Sequence, residues 1–478
     1  MQHPAIWWIR RDLRLADNPA LLAALAEGQG LIPLFIHDDG VESLGAAAKW
    51  RLGLGLAVFS RALAERSSRL ILRRGPALAV LQAVIAETGA GSVHWSRLHD
   101  PAARVRDSAV KAALKAQEIT ATSHPGHLLF EPWTVETGAG GPYRVFTPFW
   151  SAVRSREIAA PLAAPQHLHA PAHWPHSDRL DDWQMGAAMQ RGAAVVARFQ
   201  RVGEAAAQDR LAAFIADKMI RYKELRDFPG LDATSRLSEN LTCGEISPRQ
   251  IWATGHDHLL RGTPGAETFL KELVWREFAC HLIHHFPEIT DRPWKPDWAG
   301  FPWLGDNPAA QAWQQGRTGV ELVDAAMREL AVTGTMQNRA RMVAASYLTK
   351  HLLTDWRVGQ AWFADWLTDW DPASNAMGWQ WVAGCGPDAA PWFRVFNPDG
   401  QAEKFDADGR YRNRFLAHRQ SGPDALAFYD AIPLRWNMQP GDPYPRPVVA
   451  LADGRARALA AYEGWRHSGG ATLARDEA

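Results

Sequence analysis

Along the first 123 residues, apolar positions gather in short, nearly unbroken runs: Ala5–Ile9, Leu31–His37, Arg69–Leu72, Ser92–Ser96 and Ile119–Thr122. Between them apolar and polar positions recur with a helical period. Runs of this kind suit strands buried on both faces, as in a parallel sheet. The first intervening helix is announced by Asp17-Asn18-Pro19, a capping residue followed by proline in the first turn. Alternation of strand and helix predicts a doubly wound α/β unit over residues 1–130. Gly53-Leu54-Gly55 lacks the third glycine of a dinucleotide fingerprint and falls inside a helical pattern, so no ligand is legible there.

The pattern then changes. Gly138-Ala139-Gly140-Gly141-Pro142 is a loop, and residues 158–175 are rich in alanine, proline and histidine, so 131–205 is expected to be a connector. His167, His169, His173 and His176 lie there among prolines, without helical register or carboxylates. They fit a solvated linker better than a metal site. From 206 to 478 the helical period dominates, over Ala205–Lys218, Thr268–His284, Gly319–Thr333, Thr335–Leu353 and Val358–Thr368. The expected architecture is an α/β unit followed by a large all-helical one.

Composition narrows the function classes. Acidic and basic residues cancel to a formal net charge of zero, so a polyanionic partner needs a local basic patch. Cys243, Cys280 and Cys385 lie far apart, which argues against a disulfide framework, a zinc ribbon or an iron–sulfur cluster; no metal is expected. The opening MQHPAIWWIRRDLR carries too short an apolar stretch for a secretion signal, and no later stretch has the length of a membrane span. A cytoplasmic monomer is the expectation. The 23 tryptophans against 7 tyrosines exceed what an ordinary core uses. Most fill the helical interior, which leaves a minority for base stacking or electron transfer.

Three segments carry candidate chemistry. On Thr335–Leu353, Asn338, Arg341, Met342 and Ala345 share one helix face. An amide, a guanidinium and a thioether together suit either a pocket wall or a buried arginine with an acidic partner. Asp369–Trp381 reads D-W-D-P-A-S-N-A-M-G-W-Q-W, denser in acids, amide and rings than closing a core requires. The interleaving continues through Phe393–Pro398 and Gln401–Phe405, where rings and arginines can stack bases and neutralise phosphates. Asp232–Pro248 places Thr234, Ser235 and Ser238 around Arg236 ahead of a helical stretch. That run serves either as caps and turns or as a phosphate cradle.

These segments together resemble the photolyase/cryptochrome flavoprotein family over nearly the whole chain. Trp8-Ile9-Arg10-Arg11-Asp12-Leu13-Arg14 is similar to its opening strand. Glu272-Leu273-Val274-Trp275-Arg276-Glu277-Phe278 and Gly378-Trp379-Gln380-Trp381 are similar to its most specific marks. The resemblance implies an α/β antenna unit and a helical unit holding one FAD, reduced when active. It assigns Tyr222, Thr234, Ser235, Arg236, Leu237 and Ser238 to the cofactor's phosphate and ribose. Arg341 and Asp369 become an ion pair beside the isoalloxazine, with Trp370 and Asp371 in the same stretch and Asn375 facing N5. Trp303, Trp356 and Trp379 correspond to an electron chain from surface to flavin. Glu272, Asn338 and Met342 line the lesion cavity with Trp275, Arg276, Arg339 and Trp381, and Arg226, Arg394 and Gln401 lie near the DNA.

The implied activity is light-driven repair of cyclobutane pyrimidine dimers in UV-damaged duplex DNA, with a cryptochrome-type photoreceptor as the alternative. Asn338 and Met342 stand where (6-4) enzymes carry histidines, and Asn375 where plant cryptochromes carry aspartate, so a bacterial class I or class III-like dimer enzyme fits best. The short stretch after the helical core leaves little room for a signalling tail. Thr335, Gln337, Ala376 and Met377 depart from the family pattern. An antenna chromophore is expected as well, a folate (methenyltetrahydrofolate) rather than a deazaflavin, because Pro125–Phe149 resembles folate-binding members.

Overall fold

The computed structural model describes residues 3–388 and 394–470. Its N-terminal part is a five-stranded parallel sheet: β1 (Ala5–Ile9), β2 (Leu31–His37), β3 (Ile71–Arg74), β4 (Ser92–Ser96) and β5 (Thr120–His124), in the order β3-β2-β1-β4-β5. Central β1 is buried at every residue and pairs in register on both sides, Ile6 with Ile32 and with Val93. Helices α1 (Pro19–Glu27), α2 (Ala46–Ala64), α3 (Ala77–Thr88) and α4 (Pro101–Lys115) cover the faces. Asn18 caps α1 through the Leu21 N–H, and Pro19 follows it.

Two strands lie later than their apolar runs indicate. β3 begins at Ile71 rather than Arg69 and runs on through Arg73 and Arg74, and β5 runs to His124 rather than Thr122. Both are edge strands. Pairing with β2 and β4 extends them through polar residues, and charge at an edge also blocks further strand addition. Arg73, for instance, pairs with Glu87 at 2.5 Å.

The helical part contains α5 (Glu204–Asp217), α6 (Ser238–Cys243), α7 (Ala266–His285), α8 (Glu321–Thr333), α9 (Asn338–Ser346), α10 (Trp356–Trp366), α11 (Pro372–Ala383) and α12 (Leu451–Trp465), with shorter helices between. The expected single helix over Thr335–Leu353 is broken. Gln337 caps α9 through Arg339 N and Ala340 N, and the last turn, Tyr347–His351, widens to a π-helix. Gly454 of α12 lies against His351 there, where a Cβ would meet the ring at 2.9 Å. No helix among the described residues is long and apolar enough to cross a membrane.

Sheet and helices meet along a polar seam. Arg51 of α2 and Glu245 form a fully buried ion pair at 2.7 Å. Leu13 N donates to Cys243 O, and Arg14 Nη1 to Gly244 O at 3.0 Å. Gly244 has φ +69°, and a Cβ there would sit 2.0 Å from the Arg11 carbonyl oxygen, so only glycine lets the two chains approach.

Glu277 of α7 pins the chain after the sheet, its Oε2 accepting from Leu129 N at 2.7 Å and Phe130 N at 3.2 Å. Burial pushes its carboxyl up to about 7, against the pull of Arg276 and the two amides. A carboxyl raised in the folded state contributes stability that is present at low pH. That contribution is lost as pH rises from about 4.5 through about 7. Glu277→Gln is therefore expected to flatten the pH dependence of unfolding free energy between pH ~5 and ~8 by roughly 3 kcal/mol. Denaturant titrations at the two pH values check this; an unchanged slope refutes it.

Candidate functional site

A cavity of about 570 Å³ opens among α7, α9, α11 and the segment before α6, within the range that holds a cofactor. At one end lie Tyr222 and all of Thr234–Ser238. Arg236 adopts φ +53°, rare for a side-chain-bearing residue, and right-handed Leu237 follows it. Such a reversal turns successive backbone N–H groups to one side, the arrangement that receives anions. Arg210 of α5 holds the turn, donating from Nη1 to Arg236 O (2.8 Å), Glu239 Oε2 (3.0 Å) and Asn240 Oδ1 (2.8 Å). In sequence Arg210 looks like any surface arginine of an amphipathic helix, and no local signal marks it.

Deeper in, Arg341 Nη2 bonds both Asp369 carboxylate oxygens, at 3.0 and 2.7 Å, and its Nε donates to Met336 O at 2.7 Å. The Asp369 side chain is 3% exposed. The two alternatives left open for Arg341 thus hold together: it pairs with an acid and it lines the cavity.

Helix α11 supplies the opposite wall. Asp371 caps it through Ser374 N, and Pro372 follows as its first residue. Asn375, Gly378, Trp379 and Val382, at three- and four-residue steps, line the cavity. Asn375 Nδ2 donates to Gln360 O at 3.1 Å, which orients the amide. The indole N–H groups of Trp370 and Trp379 are buried without a protein acceptor. Phosphate-type donors, a fixed guanidinium and two unsatisfied ring N–H groups on the walls of one cavity fit an anionic ligand with a flat ring system such as FAD.

At the mouth stand Glu272, Trp275 and Arg276 of α7, Asn338 and Met342 of α9, Arg226 and Trp381. Arg226 is hydrogen-bonded to Glu272, and Gln337 Nε2 donates to the Arg226 carbonyl at 2.5 Å. Trp275 lies flat on Phe146, ring centroids 3.6 Å apart and planes 7° apart. Asn338 Nδ2 is 3.9 Å from Met342 Sδ. The Arg276 guanidinium is engaged by the His127 carbonyl and ring, both at 2.8 Å.

Five of the expected residues are not brought to the cavity wall. Arg339 pairs with Asp227 at 2.8 Å and lies over Phe405. Arg394 is exposed, its carbonyl accepting from buried Lys350, and Gln401 sits on the short helix Pro398–Phe405. Phe393 lies outside the described residues. Trp356 and Trp303 do not line the cavity, and Trp303 packs on Trp298 and Phe301, ring centroids 6.2 and 4.5 Å away. Trp379 packs on Phe363 (4.9 Å) and on backbone at Gly359, where a Cβ would strike its ring at 2.0 Å. Trp356, fully buried, begins α10 one turn before Gly359. The isolated bridge Leu304–Thr354 then fastens half-buried Trp303 beside the start of that helix. Elsewhere among the described residues, no group of three or more His, Cys, Asp or Glu is placed to hold a metal ion.

Comparison with known proteins adds the family context. Residues 5–166 match the family model described as DNA photolyase, and residues 269–464 match the FAD binding domain of DNA photolyase. A deoxyribodipyrimidine photo-lyase of Agrobacterium fabrum is 44% identical over 472 residues, covering 96% of this chain and 97% of the relative. The crystal structure of a bacterial class III photolyase from Agrobacterium tumefaciens superposes with a TM-score of 0.91 at 43% identity, covering 98% of each chain. A Synechocystis cryptochrome superposes with a TM-score of 0.83 at 26% identity, over 96% of this chain and 100% of that one.

Proposed function

This chain belongs to the DNA photolyase family, and we propose on that footing that the cavity holds FAD directly behind a mouth shaped for an extruded pyrimidine dimer. The chain is an FAD-dependent enzyme of light-driven DNA repair, a deoxyribodipyrimidine photo-lyase. The observation that carries the assignment of residues is the single cavity joining the Arg341–Asp369 pair to the aromatic mouth of Trp275 and Trp381.

When bound in its reduced form, FAD would supply light-driven one-electron donation to the dimer, the electron returning with no net redox change. The chain's own groups prepare that exchange. Thr234–Ser238 hold the phosphates through hydroxyls and turned amides. Arg341, kept in place by Asp369, stabilises negative charge without depending on a proton equilibrium. The Asn375 amide, oriented by the Gln360 carbonyl, would offer the flavin ring neither a ready proton nor a repelling charge. Photolyases take damaged bases out of the stack, and Trp275 and Trp381 supply ring faces to receive them. Glu272, held by Arg226, presents a carboxylate beside the bases, with Asn338 and Met342 at the same mouth. Arg339, Arg394 and Gln401 lie outside the cavity and suit contact with the surrounding duplex; Arg276 instead braces the His127 loop. Trp379, which lines the cavity, would take electrons toward the flavin, with Trp356 and Trp303 as the further members of that route. The proposed protein is a cytoplasmic monomer divided as 1–130, 131–205 and 206–478.

For the antenna we favour folate over deazaflavin, because Pro125–Phe149 resembles the corresponding segment of folate-binding members. In a doubly wound sheet a flat ligand lies at the carboxyl ends of the strands where their order reverses, here between β1 and β4. That crevice is packed by Arg10 with Asp107 (2.6 Å) and by Ser96 with Asp12 (2.8 Å).

The deciding experiment gives purified, photoreduced protein a thymine-dimer duplex in light and in darkness, with mass analysis of the heat-released cofactors. Restoration in the light alone is expected. Trp381→Ala is expected to weaken dimer binding by roughly 10- to 100-fold, the worth of one stacked base. A flavin-loaded protein that leaves the dimer intact overturns the repair reading in favour of a photoreceptor, and a released deazaflavin overturns the antenna reading.

A further inference from the structure

Arg11 stands two residues beyond β1, outside the walls of the large cavity, yet its guanidinium reaches the helical part at two points. Nε donates to the Thr242 carbonyl and Nη2 to Asp371 Oδ2, each at 3.0 Å. Both partners belong to segments that wall the cavity. Thr242 lies in α6, directly after the Thr234–Ser238 run, and its hydroxyl donates to the Asp369 carbonyl at 3.2 Å. Asp371 caps α11, with Oδ1 accepting from Ser374 N and its carbonyl from Asn375 N, both at 2.9 Å. One side chain from the sheet therefore holds the phosphate-side segment and the start of the α11 wall at once.

The surroundings leave Arg11 little freedom. Its backbone is clamped where Gly244 passes within Cβ-clash distance of its carbonyl. The Asp371 side chain is 9% exposed and that of Arg11 21%. Burial works against the Asp371 charge, but Arg11, Arg276 and the Ser374 N–H outweigh it and hold the carboxyl below its usual range. Asp100 also faces Arg11. Without the guanidinium, the α11 cap is a buried carboxylate short of its nearest countercharge, the situation a protein relieves by shifting the helix or admitting water.

We propose that Arg11 is a positioning residue for the flavin site: through Asp371 and Thr242 it sets where α11 presents the Asn375 amide and the Trp379 ring, and so makes cofactor affinity and potential depend on the seam between sheet and helices. This rests on the reading that the cavity holds FAD. An arginine is needed because only its planar fork reaches two acceptors; lysine at the same place restores the charge but a single contact.

The test uses the full chain as Arg11→Gln, Arg11→Lys, Asp371→Asn and the Arg11→Gln/Asp371→Asn double variant. It measures the FAD dissociation constant by fluorescence, the midpoint potential of the bound flavin, and thermal unfolding. Arg11→Gln is expected to weaken FAD binding by about 10- to 100-fold, the usual size of coupling between two sites, and to shift the potential. Arg11→Lys recovers part of both. Asp371→Asn adds little on top of Arg11→Gln, because the two act through one contact. Should Arg11→Gln fail to fold, Asp371→Asn, which keeps a capping oxygen, is read by the same two quantities. A lowered melting temperature with affinity and potential unchanged overturns the inference and leaves Arg11 as seam packing. A parent chain that binds no FAD overturns the cavity reading itself, and this inference with it.

Discussion

Trp379→Phe is expected to slow light-driven reduction of the bound flavin by about 100-fold or more, equivalent to ~2.7 kcal/mol on the barrier, while chemically reduced protein still repairs dimers. The indole lines the cavity, its N–H is buried without a protein acceptor, and Phe363 and the backbone of Gly359 fix its ring. Phenylalanine keeps an aromatic body in that slot but is far harder to oxidise, so packing survives and electron supply does not. The smaller ring leaves space worth roughly 1–2 kcal/mol of stability, which unfolding measurements separate from the photochemistry. Trp313 is the control. It is equally buried, 6.0 Å from Trp379, and its N–H donates to Ala344 O, yet it does not line the cavity. Trp313→Phe is expected to leave the photoreduction rate within about threefold, a change of under ~0.7 kcal/mol. Equal losses in both variants refute the assigned route.

Arg341→Leu is expected to weaken FAD binding by roughly 100- to 1000-fold and to destabilise the apoprotein by about 3 kcal/mol. Two effects combine. The substitution removes the fixed positive charge from the cavity, and it leaves the Asp369 carboxylate, 3% exposed, without the Nη2 group that contacts both its oxygens. The Arg341→Leu/Asp369→Leu double variant tells them apart. Replacing a buried pair by apolar groups often costs little stability, so unfolding free energy is expected to recover most of its loss. FAD affinity stays low, because the charge that faces the flavin is still missing. Recovery of both quantities shows that Arg341 matters only to the fold. Fluorescence titration with FAD and denaturant unfolding read the two sides independently.

The most legible parts of this molecule are those where chemistry is dense in sequence. Asp369–Trp381 announces itself because a cap, a proline and the face carrying Asn375, Gly378 and Trp379 fall within a few turns of one helix. Thr234–Ser238 is legible as a polar run, although its left-handed turn at Arg236 is not, since positive φ in a non-glycine residue is imposed by surroundings. Here the surroundings are Arg210, and nothing near Arg210 in the chain marks it out. The expected helix over Thr335–Leu353 shows the opposite failure. Its periodicity continues past Ser346, but packing of α12 against His351 accompanies the wider π-turn. Arg276 and Arg339 show a third limit: sequence indicates a basic residue but not that its head is already taken, by His127 and by Asp227.

What the sequence determined by itself is the strand–helix alternation, the change to an all-helical second half, and the family marks that name the chemistry. Each is written in residues a few positions apart, where turn geometry and burial follow from local pattern. Tertiary structure alone decided where the edge strands β3 and β5 begin and end, because a neighbour's unpaired backbone extends them beyond their own apolar residues. It alone joined the Leu304 backbone to Thr354, 50 positions away, just before the start of α10. And it alone closed Arg11 onto Asp371, 360 positions away: a buried charge takes whichever partner the completed fold brings within 3 Å, and no local pattern records that choice.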